Sequence, residues 1–372
     1  MTKKSLFLLA GSALLALAGC GKTGAKGTTV RVGFQGNFGA AAGMTAVNEG
    51  YFKQEGVSVS YSVATGPNLA AAVLSGQQDV VFLGNGVAWN YFTADAKMKL
   101  IALDNLTDDD RLIADLHSEK AKSLTLESSH ADLIAALKGS KVALDMSATP
   151  ATFWANLVTS LNTELEDGKK IWYEGTDANL PTGMDSANYV AENKVTIVNT
   201  SNANVTSAMS NHEVDFCVSF SPVAANLEKD SANYRTVAKT STHMPTLLTP
   251  STWAVNTDFL ANHEDVFKKF MKGLVRGMDK RAKDPDAAVR ATEVCTAYTV
   301  RAEDINIYIA TWLGAQDQID LCATKDGKGY TYVDNIRNSA LAGGNASKVK
   351  KTAAEAVDFS YIVEAAHAVL GK

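Results

Sequence analysis

Cysteine is scarce in this chain, with four in 372 residues and no two close together. That excludes a small disulfide-stapled domain and any Cys-x-x-Cys metal or redox motif. The six histidines (His117, His130, His212, His243, His263 and His367) show no HxxxH or similar ligand spacing, so the sequence predicts no metal site and no cofactor. A GxxxxGK phosphate loop is also missing. Basic residues are outnumbered, 35 against 40 acidic ones, for a formal charge of −5. A nucleic-acid partner needs a basic stripe that displaces counterions, and this balance excludes one. Beyond the first twenty residues no apolar run reaches the length of a membrane-spanning helix.

What is present starts at the N-terminus. Lys3 and Lys4 precede an apolar stretch, Leu6 to Leu17, broken only by Gly11 and Ser12, and Ala18-Gly19 stand just before Cys20. The stretch is too short to cross a bilayer, and its flanks are those of an export signal. Leu17-Ala18-Gly19-Cys20 resembles a bacterial lipobox, which implies cleavage before Cys20 and acylation of its thiol. An ordinary signal peptide with an incidental cysteine is the competing reading. Gly21 to Gly27 reads as a flexible tether. Without residues 1–19 the chain keeps 353 residues at a charge of −7 (33 basic against 40 acidic), enough for two lobes with cores of their own. The mature protein is expected to be a monomer, soluble apart from its lipid and held at the outer side of the cytoplasmic membrane. Outside that membrane Cys295 and Cys322 either pair, which stabilises by ~3 kcal/mol if unstrained, or remain two buried thiols. Cys217 sits in an apolar strand pattern and reads as core.

From Thr28 onward strand and helix signals alternate. Val30–Phe34 and Val57–Val63 alternate with period two, and Asp79–Leu83 is short and apolar, as in buried parallel strands. Helical spacing over Ala40–Phe52, and Gly66-Pro67 opening a helix to Leu74, lie between them. A second series follows: strand Lys141–Asp145, a helix from Thr149-Pro150, strand Val195–Val198, a helix over Asn204–Asn211, strand Val214–Ser219, and a helix from Ser221-Pro222. The order predicts two open α/β sheets with right-handed crossovers. The inter-lobe crossings are expected within Leu112–Leu137 and Tyr234–Leu248. Lobe 1 would then hold residues 28–115 and 242–372, and lobe 2 residues 116–241. Residues 249–372 read as mainly helical, from runs such as Val266–Ala282 and Ala302–Leu313, and should pack back on the first lobe. The polar stretch 162–193 fits neither series and reads as either functional or disordered.

Four motifs now carry a family likeness: Glu49-Gly50-Tyr51-Phe52 with Glu55-Gly56-Val57; Leu74-Ser75-Gly76-Gln77 with Asp79; Leu137-Lys138-Gly139-Ser140-Lys141-Val142; and Ala208-Met209-Ser210-Asn211 with Glu213-Val214-Asp215. In this order the chain resembles the extracytoplasmic solute-binding proteins of nitrate, sulfonate, taurine and thiamine-pyrimidine ABC importers. The resemblance implies the periplasmic binding protein type II fold, two α/β lobes joined by a two-stranded hinge, here with a helical C-terminal extension. It also implies a small-molecule ligand in the cleft, and a permease and an ATPase as partners.

The residues agree on where a ligand should lie, since open α/β sheets bind beyond the carboxyl ends of their strands, at helix N-termini. Those ends supply Gln35, Asn37 and Phe38; Gly66 and Asn68; Asn85; Asp145, Ser147 and Thr149; and Ser221. Trp89 and Trp154 follow two of the turns as candidate flat walls, although single aromatics are more often core. Helix capping alone accounts equally for Ser147, Thr149 and Ser221. None of these ends carries Arg or Lys, which favours a neutral, zwitterionic or partly cationic solute over a bare oxyanion. Asp145 either serves that ligand or caps its own turn, and an anion held by helix N-termini alone stays open. The carboxylates Glu164, Glu166 and Asp108 to Asp110 read as solvated loops. Two other outputs compete with import: a ligand-sensing lipoprotein, and an enzyme like the thiamine-pyrimidine synthases, whose cysteine-rich motif this chain lacks.

Overall fold

The computed structural model describes residues 28–163, 165–174, 190–244, 247–341 and 347–372. The signal segment, the tether, Cys20, Glu164 and half of the polar stretch 162–193 lie outside the described residues. Eleven strands are found in what is described: β1 Thr29–Gln35, β2 Ser58–Ala64, β3 Val80–Gly84, β4 Met98–Thr107, β5 Arg111–Asp115, β6 Lys141–Leu144, β7 Thr196–Asn199, β8 Phe216–Ser219, β9 Tyr234–Lys239, β10 Thr249–Asn256 and β11 Ile309–Trp312. They form two sheets, ordered β11-β4-β10-β3-β1-β2 and β7-β6-β8-β5-β9. In the first, β1 is parallel to β2 and β3, and β10 is antiparallel to β3 and β4. In the second, β6 is parallel to β7 and β8, while β5 is antiparallel to β8 and β9. The two-lobed α/β architecture read from the alternation is therefore present, each sheet wrapped by helices around its own apolar core.

The first crossing between the sheets is shorter than expected. β5 pairs with β8 and β9, so Arg111–Asp115 belongs to the second sheet, and the chain passes over within Asp108–Asp110 instead of beyond Leu112. The second crossing runs between β9 and β10, within the stretch expected. The helix read over Ala40–Phe52 is two pieces, Ala41–Asn48 and Tyr51–Gln54, divided where Gly50 takes a left-handed φ of 69°.

Residues beyond β10 are mainly helical, the longest helix being Glu264–Lys283. Helices 285–296, 315–322, 328–340 and 360–370 bury Ala291, Cys295, Cys322, Val333, Ile336 and Ile362 in the first core. The run Ala302–Leu313 departs from the expected helix: helix 302–308 gives way to β11, which pairs with β4 at the sheet edge. Val300, Ile305 and Tyr308 pack instead in a cluster with Ile113 and Cys217 of the second sheet and Ala224 of the helix that follows it, so the extension touches both lobes. Cys295 and Cys322 are free and buried. Their thiols face different groups, the Ala40 carbonyl at 3.9 Å and Gln318 Oε1 at 4.0 Å, so the disulfide considered from sequence is not formed. Burial raises both thiols to about 12, which keeps them protonated. Among the described residues no helix is long and apolar enough to cross a membrane.

Candidate functional site at the cleft between the lobes

The carboxyl ends of the parallel strands in the two sheets meet around a small cavity. Asn37 comes from beyond β1, Gly84 ends β3, Phe220 follows β8, and Thr149 opens the helix after β6. Thr107 ends β4, Asp109 and Asp110 come from the first crossing, and Thr249, Pro250 and Ser251 from the start of β10. The cavity measures about 10 Å³, room for about one water. Nothing larger than a water fits it in this arrangement of the lobes. Larger recesses, of about 360 Å³ around Arg31 and Asp79 and about 530 Å³ around Tyr330 and His367, lie away from these strand ends. Neither is lined by a buried side chain left without a hydrogen bond, whereas the cleft is.

Close approach of the lobes depends on two glycines. A Cβ at Gly84 would stand 2.7 Å from Thr149 Oγ1, and one at Gly86 would stand 2.5 Å from Thr152 Oγ1. Only residues without a side chain admit helix 149–162 of the second lobe so near. Hydrogen bonds also cross near the cavity: Asn90 Nδ2 donates to the Ser147 carbonyl at 3.2 Å, and Phe38 N to Ser221 Oγ at 3.2 Å.

The acidic run at the first crossing is not a solvated loop, contrary to the sequence reading. Asp108, Asp109 and Asp110 are all buried, because they join two apolar strands that pass directly from one core to the other. Asp108 accepts from Ser241 N and Oγ and pairs with Lys239 at 3.3 Å. Asp109 accepts from Ser221 N at 2.7 Å and from Ser221 Oγ at 2.9 Å. Burial outweighs these bonds and pushes its carboxyl up to about 7. Asp110 is 4% exposed, and its Oδ1 has no partner. Burial, then the neighbouring Asp109, hold it well above the usual carboxylate range. Arg111 is committed elsewhere. It pairs with Glu228 at 2.9 Å, donates to the Asp108 and Ile307 carbonyls, and lies over the Tyr308 ring.

The twelve residues proposed from sequence fall into four groups. Asn37 and Thr149 line the cavity, and Asn37 Oδ1 is buried without a partner. Gln35 stands behind it, accepting from Gly84 N at 3.0 Å beside Gly66. Asn85, next to Gly84, is fully buried with both side-chain polar atoms unpartnered. Phe38 and Ser221 make the crossing bond, the Phe38 ring packing edge-on against Tyr308. The remaining five lie off the cavity. Trp89 and Trp154 are enclosed in the two cores, Trp89 against Phe92 with its indole N–H on the Val333 carbonyl, and Trp154 against Tyr173. Asp145 accepts from Ser147 N and Oγ, capping its own turn. Asn68 is exposed. Sequence reading missed Thr107, Asp109, Asp110 and Thr249–Ser251 as cavity residues. The available signal was three consecutive acids flanked by apolar runs, a spacing too short for a loop at the surface.

A family model described as NMT1/THI5 like matches residues 161–288, about a third of the chain. No curated protein matches the sequence. Among solved structures, the chain is similar to the alkanesulfonate-binding protein SsuA from Xanthomonas axonopodis pv. citri, at 15% identity over 90% of this chain and 99% of that one, with a TM-score of 0.59. It is similar to the periplasmic nitrate-binding protein NrtA from Synechocystis PCC 6803, at 12% identity over 92% and 89%, TM-score 0.64. The desulfurization enzyme DSZB is a further neighbour, at 14% identity over 91% and 98%, TM-score 0.57. One architecture thus carries both binding proteins and an enzyme, so function has to be argued from the site. The chain has the two-lobed α/β fold of the periplasmic binding proteins, with an NMT1/THI5-like segment running from its second lobe into its C-terminal helices.

Proposed function

We propose that this chain is the solute-binding component of an ABC-type importer, anchored through Cys20, and that it closes on a small molecule bearing a protonated nitrogen. The observation that carries the reading is Asp110, a buried carboxyl with an unpartnered oxygen on a cavity shared by both lobes. An uncompensated carboxylate in such a place would cost several kcal/mol, so burial makes Asp110 hold its proton, and a cation placed beside it favours the charged form. The neighbouring cations, Arg111 and Lys239, are held by Glu228 and Asp108. A ligand ammonium between the lobes supplies the missing partner, and Asn37 Oδ1 accepts a second N–H from it. Sulfonate and nitrate, named for two neighbours, are anions, and the cavity lining offers them no Arg or Lys. The enzyme reading has less support, since the cavity lining holds no Cys, His or Lys to act as nucleophile or base.

A thermal-shift panel of small amines, zwitterions, neutral amides and oxyanions tests this. Stabilising compounds should carry a protonated nitrogen, and Asn37→Ala and Thr149→Ala, one from each lobe, should each weaken them. An oxyanion that stabilises, or a stabiliser indifferent to both substitutions, contradicts the reading. Anchoring is tested by Cys20→Ala, which should release the protein from membranes or leave it unprocessed. Adjacent permease and ATPase genes support import, and a lone sensor kinase gene supports sensing.

A further inference from the structure

The end of the second sheet away from the cleft gathers three metal-ligating side chains that lie apart in the sequence. β5 leaves the crossing at Arg111 and ends at Asp115, whose carboxylate is 2% exposed. Its Oδ1 lies 3.0 Å from His117 Nδ1, and its Oδ2 lies 2.6 Å from His212 Nδ1. The two imidazole rings are 4.4 Å apart between centroids and half exposed. One donor atom from each of the three residues lies within 4.8 Å of the others.

The backbone at His212 is a second, independent observation. His212 follows helix 205–210 with a φ of 54°. His212 N donates to the Met209 carbonyl and Glu213 N to the Ala208 carbonyl, the paired bonds of a Schellman helix end. Glycine takes that left-handed position without strain and histidine does not. From that position the His212 ring reaches Asp115.

We propose that Asp115, His117 and His212 form a binding site for a divalent transition-metal ion of the Zn²⁺ type, with its fourth position open to solvent. Tetrahedral Zn²⁺ with bonds near 2.0 Å sets its ligand atoms ~3.3 Å apart, so the observed separations, all within 4.8 Å, need to change by about 1.5 Å or less. Two imidazole nitrogens and one carboxylate oxygen suit Zn²⁺, Ni²⁺ or Cu²⁺, whereas Mg²⁺ and Ca²⁺ prefer oxygen alone. The ion would tie the turn after β5 to the helix end before β8. It acts on the stability of the second lobe and stands apart from the ligand cleft. Histidine spacing in the sequence conceals this set, because its members meet only through the pairing of β5 with β8.

Isothermal titration of Zn²⁺ into the tag-free mature chain, stripped with a chelator beforehand, tests the site, with Mg²⁺ as control. One Zn²⁺ per chain is expected, with a rise in Tm that increases with Zn²⁺ concentration and no response to Mg²⁺. His212→Gly keeps the left-handed helix end without strain, so it should fold at least as well yet bind Zn²⁺ at least tenfold more weakly. His117→Gln should show the same loss. Absence of binding by the parent chain overturns the proposal, as does equal binding by the parent and His212→Gly.

Discussion

The acidic run at the first crossing shows what burial does to a residue that composition alone reads as surface. Asp109 has an ordinary value of 3.8 and is raised to about 7 by burial. Between those pH values the folded protein keeps a proton that the unfolded chain has released. Its contribution to stability is therefore full below about pH 4 and lost as pH rises through 7. Denaturant unfolding of the parent and Asp109→Asn at a series of pH values isolates the effect. The stability of the parent relative to the variant should fall from pH 4 to 7.5, and a constant difference would count against the assignment. Residue by residue, the place of Asn37 and Thr149 where strand ends meet was legible, because strand carboxyl ends and helix starts have recognisable chemistry, while Asn68 and Ser147 lie off the cavity. The tryptophans and Asp145 were not, since the choice between core, cap and wall depends on which side of a helix or turn faces the cleft.

Elements were easier to read than their joints. Helices with a clear apolar stripe, such as Glu264–Lys283, appear close to where spacing puts them. β11 was hidden, because Ile309–Trp312 becomes a strand only by pairing with Asn105–Thr107, a tertiary contact that overrides local preference. The same long helix carries Arg281, fully buried against fully buried Asp104. Arg281 also donates to the Asp104 and Leu313 carbonyls and lies over the Trp312 ring, while Trp253 Nε1 donates to Asp104 Oδ2 at 2.7 Å. The pair fixes the extension to β4 and β10. Arg281→Met should destabilise the fold by about 3–5 kcal/mol, because Asp104 is left as an unpaired buried charge. Asp104→Asn in the same chain should recover part of that loss. A Tm for Arg281→Met within a degree of the parent would show that the pair does not hold the extension.

For the whole molecule, the alternation of strand and helix foretold two α/β lobes, and the crossings set how they meet. The first was placed too late in the sequence because Arg111–Asp115, although next to β4, pairs only within the second sheet. The lobes meet where the bare backbone at Gly84 and Gly86 faces Thr149 and Thr152. Gly86→Ala should hold the lobes apart, enlarging the radius of gyration in small-angle scattering and weakening ligand binding, with each core intact. Adding Thr152→Ala should restore both. A Gly86→Ala chain as compact as the parent and binding as tightly would separate closure from this contact.

The central claim is that a nitrogen cation is held at Asp110 between the lobes. Native mass spectrometry of the parent and Asp110→Asn, purified side by side from host membranes, tests it most directly. Losing one partner of a buried charge pair costs about 2–5 kcal/mol, or roughly 30-fold to several thousand-fold in affinity. The parent should therefore retain one small nitrogenous molecule per chain, and Asp110→Asn should be depleted of it while remaining folded. The same molecule retained equally by both proteins, or an oxyanion retained by the parent, would contradict the account.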